Sequence, residues 1–232
     1  MNRVLSAARL HVVHPLVVFG VPWMVGSISF VINWAIWALA DVPEHDPNNF
    51  TGGVTALYIT VCVVFVQALT QMLPFAMGVS LSRRTYWLGT ALVGVLSALG
   101  YGVALAVLNE IGKATGGWGV NLNFWVPTPL LADNFALQVL YSGGPMLALI
   151  FVGIAIGVVQ KRWGTDALWA LLLATVVVLG GLAVLITGLD AWGAVWAWLT
   201  ARSGLTLAFA IPAAIAAVVA AASYGGIRRV VP

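Results

Sequence analysis

Six apolar runs alternate with polar breaks along this chain, over about 15–40, 54–77, 86–108, 135–159, 167–188 and 205–223. A helix needs ~20 apolar residues to cross a bilayer core, and each run is near or above that length. The pattern predicts an all-α membrane protein forming a single transmembrane domain, residues 1–232, with six transmembrane helices. Residues 1–14 precede the first run. There Val4, Leu5, Ala8 and Val12 fall near one helical face, with Arg3, Arg9, His11 and His14 largely elsewhere. This predicts an amphipathic helix in the headgroup plane; a frayed start to the first span is the other reading. The first run is too long for the apolar region of a signal peptide, so it is expected to be retained.

The breaks differ in kind. Asn33 is the main polar interruption of the first run, and Trp34 and Trp37 sit near its end, as interfacial aromatics do. The stretch 41–53, DVPEHDPNNFTGG, is expected in water. Gln67 and Gln71 lie one turn apart near the end of the second run, suited either to bonding between helices or to contacting a substrate. The stretch 74–90, PFAMGVSLSRRTYWLGT, is read as a short cytoplasmic elbow. The third run is rich in glycine, and the loop 110–134, with Trp118 and Trp125, is expected to be ordered on the outer side. Gly143-Gly144-Pro145 predicts a kink or break in the fourth run, and Gly153 with Gly157 a packing face. QKRWGTD, 160–166, reads as a tight turn with Thr165 or Asp166 as helix cap; 190–204 reads as an interfacial piece, and Pro212 as a kink.

Charge orients the runs. With the amino terminus inside, Arg3, Arg9, Arg83, Arg84, Lys161, Arg162, Arg228 and Arg229 all fall inside, leaving Lys113 and Arg202 outside. Excess Lys and Arg marks cytoplasmic loops, so both termini are predicted to be cytoplasmic.

Composition agrees. The chain is 62% hydrophobic and 7% charged, against roughly 25% charged in soluble domains. The net charge of +3 comes from bases scattered between apolar runs, which argues for membrane topology and against nucleic acid. The single cysteine, Cys62, forms no internal disulfide and belongs to no metal-ligand spacing.

Candidate chemistry is sparse. There is no phosphate-cradling G-x-x-x-x-G-K-[ST] loop, no H-E-x-x-H and no charged residue central to a span. The last absence argues against ion-coupled carriage. Glu110, at the outer end of the third run, reads as a carboxylate ordering the outer loop. His11 and His14 lack a third ligand for a metal. The chain is expected to be no enzyme and to bind no cofactor or metal.

The segment LPFAMGVSLSRRTYWLGTAL resembles the cytoplasmic elbow of small bacterial type-2 ABC export permeases, with Ser82, Arg83, Tyr86 and Gly89 on the pattern. NEIGKATGGWGV, 109–120, looks like the loop of an actinobacterial branch of that family. The resemblance implies a six-span subunit that pairs with a second permease subunit, identical or related, in the bacterial cytoplasmic membrane. It implies a separate ATP-binding cassette subunit that holds ATP and Mg. Gly78, Ser80, Ser82, Arg83, Arg84 and Tyr86 would couple to that subunit, and an amphiphilic or hydrophobic substrate (peptide, lipid or drug) would leave by alternating access. Asn33, Gln67, Gln71, Gln138 and Tyr141 are candidates for lining the path; Glu110 and Trp118 mark the outer loop. The competing reading is a non-transporting scaffold or sensor subunit of a larger complex.

Overall fold

The computed structural model describes residues 3–12, 16–40 and 50–228. His14, His45, Arg229 and most of the 41–53 stretch lie outside them. The described backbone is helical nearly throughout, and its extended pairing is limited to an isolated bridge between Phe50 and Asn123. The helices are α1 (Arg3–Val12), α2 (Leu16–Ala40), α3 (Gly52–Gly78) and α4 (Arg83–Ala114). The helical stretch Phe135–Gly188 is divided by Gly164 (φ 81°, ψ −172°) into α5 (135–163) and α6 (165–188). Short α7 (Trp192–Thr200) and α8 (Thr206–Ile227) follow.

Three prolines explain the local irregularities. Wide π turns occupy Leu16–Gly20, Ala68–Met72 and Thr206–Ala210, each two residues ahead of a proline: Pro22, Pro74 and Pro212. A proline ring clashes with the carbonyl four residues back, here Val18, Thr70 and Ala208, the middle residue of each wide turn. Widening the turn makes room for the ring. Pro145 behaves otherwise. It sits in α5 without non-helical backbone, so Gly143-Gly144-Pro145 does not break the helix as expected. Those glycines instead admit neighbours: a Cβ at Gly143 would stand 3.3 Å from the Ala98 carbonyl, and one at Gly144 would collide with that of Ala208.

α5 is the central helix. It packs parallel to α3, where Gly153 and Gly157 meet Cys62, Val66 and Leu69, as the spacing predicted. It packs antiparallel to α4, where a Cβ at Gly102 would lie 2.6 Å from the Val139 carbonyl. It packs parallel to α8, with Tyr141 against Gly204 and Val158 against Gly226. α2 lies antiparallel on α3 through Gly26 and Leu57. Between apolar helices in lipid, association comes from such close packing rather than from removing apolar surface from water. The buried side chains between them include Leu57, Phe65, Leu69, Met146, Ile150 and Ile154.

These directions give the bundle two ends. At one stand α1, the turn between α3 and α4, and the end of α8. At the other is the loop 115–134, where Phe30 stacks on Trp125 (5.3 Å) and meets Trp118 edge-on (5.0 Å). α4 outruns its predicted end at 108 and continues to Ala114, where Lys113 pairs with Glu110 at 2.8 Å, one turn apart. α6 stands apart: almost every residue of it is exposed, Val176, Val177 and Leu179 among them. The structure is thus all-α, with long apolar helices of membrane-crossing length.

Candidate functional site at the elbow

The elbow is tighter than expected. Residues 74–78 finish α3 and 83–90 begin α4, leaving only Val79 to Ser82 between helices. Two short motifs build it. The Leu81 N–H donates to the Ala76 carbonyl and the Ser80 N–H to that of Met77, both at 3.0 Å. This is a Schellman stop, with Ser80 in the left-handed region at φ 61° where glycine is usual. Ser82 then caps α4, its Oγ accepting from the Thr85 N–H at 3.2 Å. Stop and start share four residues, so the elbow is rigid.

The first turns of α4 bind it to three other helices. Tyr86 is fully buried and its hydroxyl donates to the Ala68 carbonyl of α3 at 2.6 Å. Arg84 Nε donates to the Tyr224 hydroxyl of α8 at 2.7 Å, and Trp87 Nε1 to Ser223 Oγ at 3.2 Å. α1 lies against the same turns. A Cβ at Gly89 would come within 2.8 Å of both Ala7 Cβ and the Ala8 nitrogen. His11, also buried, reaches Thr90 Oγ1 at 2.9 Å. Thr90 donates its own hydrogen to the Tyr86 carbonyl, so His11 Nε2 is the donor to Thr90. Burial lowers the His11 pKa from 6.5 to about 4.

α1 is therefore packed into the bundle rather than lying free of it. Its buried face carries Ala7 and His11, whereas Leu5, assigned to the apolar face, is exposed. Among the residues expected to couple, Gly78, Ser80, Ser82 and Arg84 are exposed and Arg83 half-buried, while Tyr86 is an internal brace. A displacement of the elbow would move the adjoining ends of α1, α3 and α8 together. Among the described residues no three of His, Cys, Asp and Glu cluster as metal ligands.

The path candidates are not brought together within one chain. Asn33 donates to the Ser29 carbonyl at 2.8 Å beside Gly53. Gln138 is buried and fastens the outer loop, accepting from the Ala132 N–H at 3.0 Å and donating to the Leu130 carbonyl at 3.2 Å. Tyr141 is half-buried against Gly204. Gln67 and Gln71 lie elsewhere, on an exposed face of α3 with Ile59 and Val63. Glu110 is paired with Lys113 on its own helix, and the Trp118 carbonyl accepts from Trp34 Nε1 at 3.1 Å.

Sequence reasoning placed His11 on the polar face of α1 and Arg228 among the cytoplasmic bases, and assigned no role to Thr90, Ser223 or Tyr224. The linear signal for the α1 contact is that Ala7 and His11 share a face four residues apart. Comparison with protein-family models, with curated proteins and with solved structures returns no match.

Proposed function

We propose that this chain is the transmembrane permease subunit of an ATP-driven exporter of the bacterial cytoplasmic membrane. The observation that carries the reading is the elbow: four rigid residues, carrying Arg83 and Arg84 beside them, joining two long apolar helices and braced to α1 and α8. Such an elbow is a suitable input for force from a partner that closes on ATP.

Topology supports it. Phe135–Gly188 has 54 residues, about 80 Å of helix, far more than one crossing of a ~30 Å core. A break at Gly164 suits two passes on this reading, and six in all. α5 and α8 run in the same direction, as a return through α6 requires. Arg3, Arg9, Arg83, Arg84, Lys161, Arg162 and Arg228 stand at the elbow end, which is then cytoplasmic. The chain's own nucleotide motifs are missing from its sequence, so ATP and Mg belong to a separate subunit. The exposed amides of Gln67 and Gln71 suit a path or interface formed with a second permease subunit. The largely apolar interior suits an amphiphilic or hydrophobic substrate.

A scaffold or sensor subunit is the second reading, favoured by α6 and α7, which offer nearly their whole circumference to lipid or another chain. Affinity purification of the tagged chain after gentle solubilisation separates the two. The permease reading expects an ATP-binding subunit with the native chain, lost from Arg83→Glu/Arg84→Glu. Its absence from a folded native chain favours the scaffold.

A further inference from the structure

We infer that an arginine-lined cleft at the elbow end binds the phosphodiester headgroup of an anionic phospholipid. The cleft is shallow and open, with a volume of about 820 Å³, Arg83, Arg84 and Arg228 as its charged lining and Pro74, Met77 and Leu81 as its apolar lining. The arginines arrive from two helices: two open α4 and one follows α8. Tyr224 organises them. Its hydroxyl accepts from Arg84 Nε at 2.7 Å, and the Arg228 guanidinium carbon lies 4.8 Å from its ring centre. Two of the three cations are thus held before any ligand arrives, which reduces the ordering cost of binding.

A phenol does not neutralise them. Among the described residues the only ion pair is Lys113–Glu110, and Glu110 lies about 40 Å along α4 from Arg84. Among the described residues, three positive charges therefore share one cleft without a carboxylate partner. Guanidinium is the side chain that grips phosphate oxygens two at a time.

The apolar lining selects among anions. Free phosphate gains nothing from Pro74, Met77 and Leu81, whereas the glycerol and first methylenes of a phospholipid lie along them. The outside of the elbow is apolar as well, Phe75 being 60% and Val79 53% exposed. Such a surface belongs at the boundary between headgroups and acyl chains. A carboxylate from a water-soluble partner would leave that lining unused. The bound lipid bridges α4 and α8, and its site needs Arg228, which the docking reading does not use.

The test uses the full-length chain purified in detergent and native mass spectrometry. Phosphatidylglycerol, phosphatidylcholine or inorganic phosphate is added to the native chain, Arg84→Gln/Arg228→Gln and, as a control at the other end, Arg202→Gln. The expected result is retained phosphatidylglycerol on the native and Arg202→Gln chains. Retention falls about tenfold in the double variant, with no displacement by millimolar phosphate. If the double variant melts early, Arg228→Gln alone is read, with a several-fold loss expected. Native-like retention by the folded variant, or displacement by phosphate, overturns the proposal. So does an Arg228→Gln chain that keeps the lipid but loses a copurifying ATP-binding subunit, which assigns the cleft to protein docking.

Discussion

His11 Nε2 stands 2.9 Å from Thr90 Oγ1, a buried contact between residues 79 positions apart that fastens α1 to α4 about two turns beyond the elbow arginines. The amino-terminal helix is thereby part of the elbow rather than an appendage to it.

That contact makes stability depend on acid. The folded-state pKa of His11, about 4, lies below the unfolded value of 6.5. The stabilisation from holding it neutral is complete above pH 6.5 and disappears as pH falls through 4. At about 1.4 kcal/mol per unit the total is about 3 kcal/mol. Melting temperature in detergent should fall across that window in the native chain and less steeply in His11→Gln. Parallel profiles would remove His11 from the account.

Tyr86→Phe deletes the hydrogen bond to the Ala68 carbonyl and leaves that carbonyl in apolar surroundings. A loss of about 1–3 kcal/mol is expected, together with faster hydrogen exchange at the end of α3. An unchanged exchange pattern would mean that the hydroxyl does not brace the elbow.

Ser80 adopts a left-handed backbone that a side chain tolerates poorly. Ser80→Gly should stabilise by about 1 kcal/mol and Ser80→Val destabilise by more. Thermal unfolding of the two variants decides, and the opposite order would contradict the Schellman assignment.

Gly164 has open space around it but a backbone, φ 81° and ψ −172°, that is essentially restricted to glycine. Gly164→Ala should therefore cost about 1–3 kcal/mol through strain alone. Cross-linking between cysteines placed in α5 and α6 would report the altered angle; identical cross-linking would show that the break is not set by this residue.

Much of this was legible in linear form. The apolar runs and the pairing of bases between them foretold the long helices, and Gly153 with Gly157 foretold the approach of α3. What was not legible depended on partners distant in sequence. Pro22, Pro74 and Pro212 are absorbed by wide turns, while Pro145 needs none, a difference decided by packing around each helix. The extra turns of α4 bury Asn109 and Gly112 and hold the Glu110–Lys113 pair, neither of which a loop reading of NEIGKA anticipated. The buried face of α1 was misassigned because a histidine counts as polar until a threonine meets it. The elbow's location was readable from its arginines and serines, but its braces at Thr90, Ser223 and Tyr224 were not, since a helix surface says nothing of which neighbour covers it.

The permease reading requires the elbow to face the side where ATP is. In a Cys62→Ala background, Ser80→Cys places one thiol on its exposed tip. A membrane-impermeant maleimide should label that thiol in inverted membrane vesicles and spare it in intact cells. Labelling in intact cells would put the elbow outside, beyond reach of any ATP-binding subunit, and would contradict the permease account.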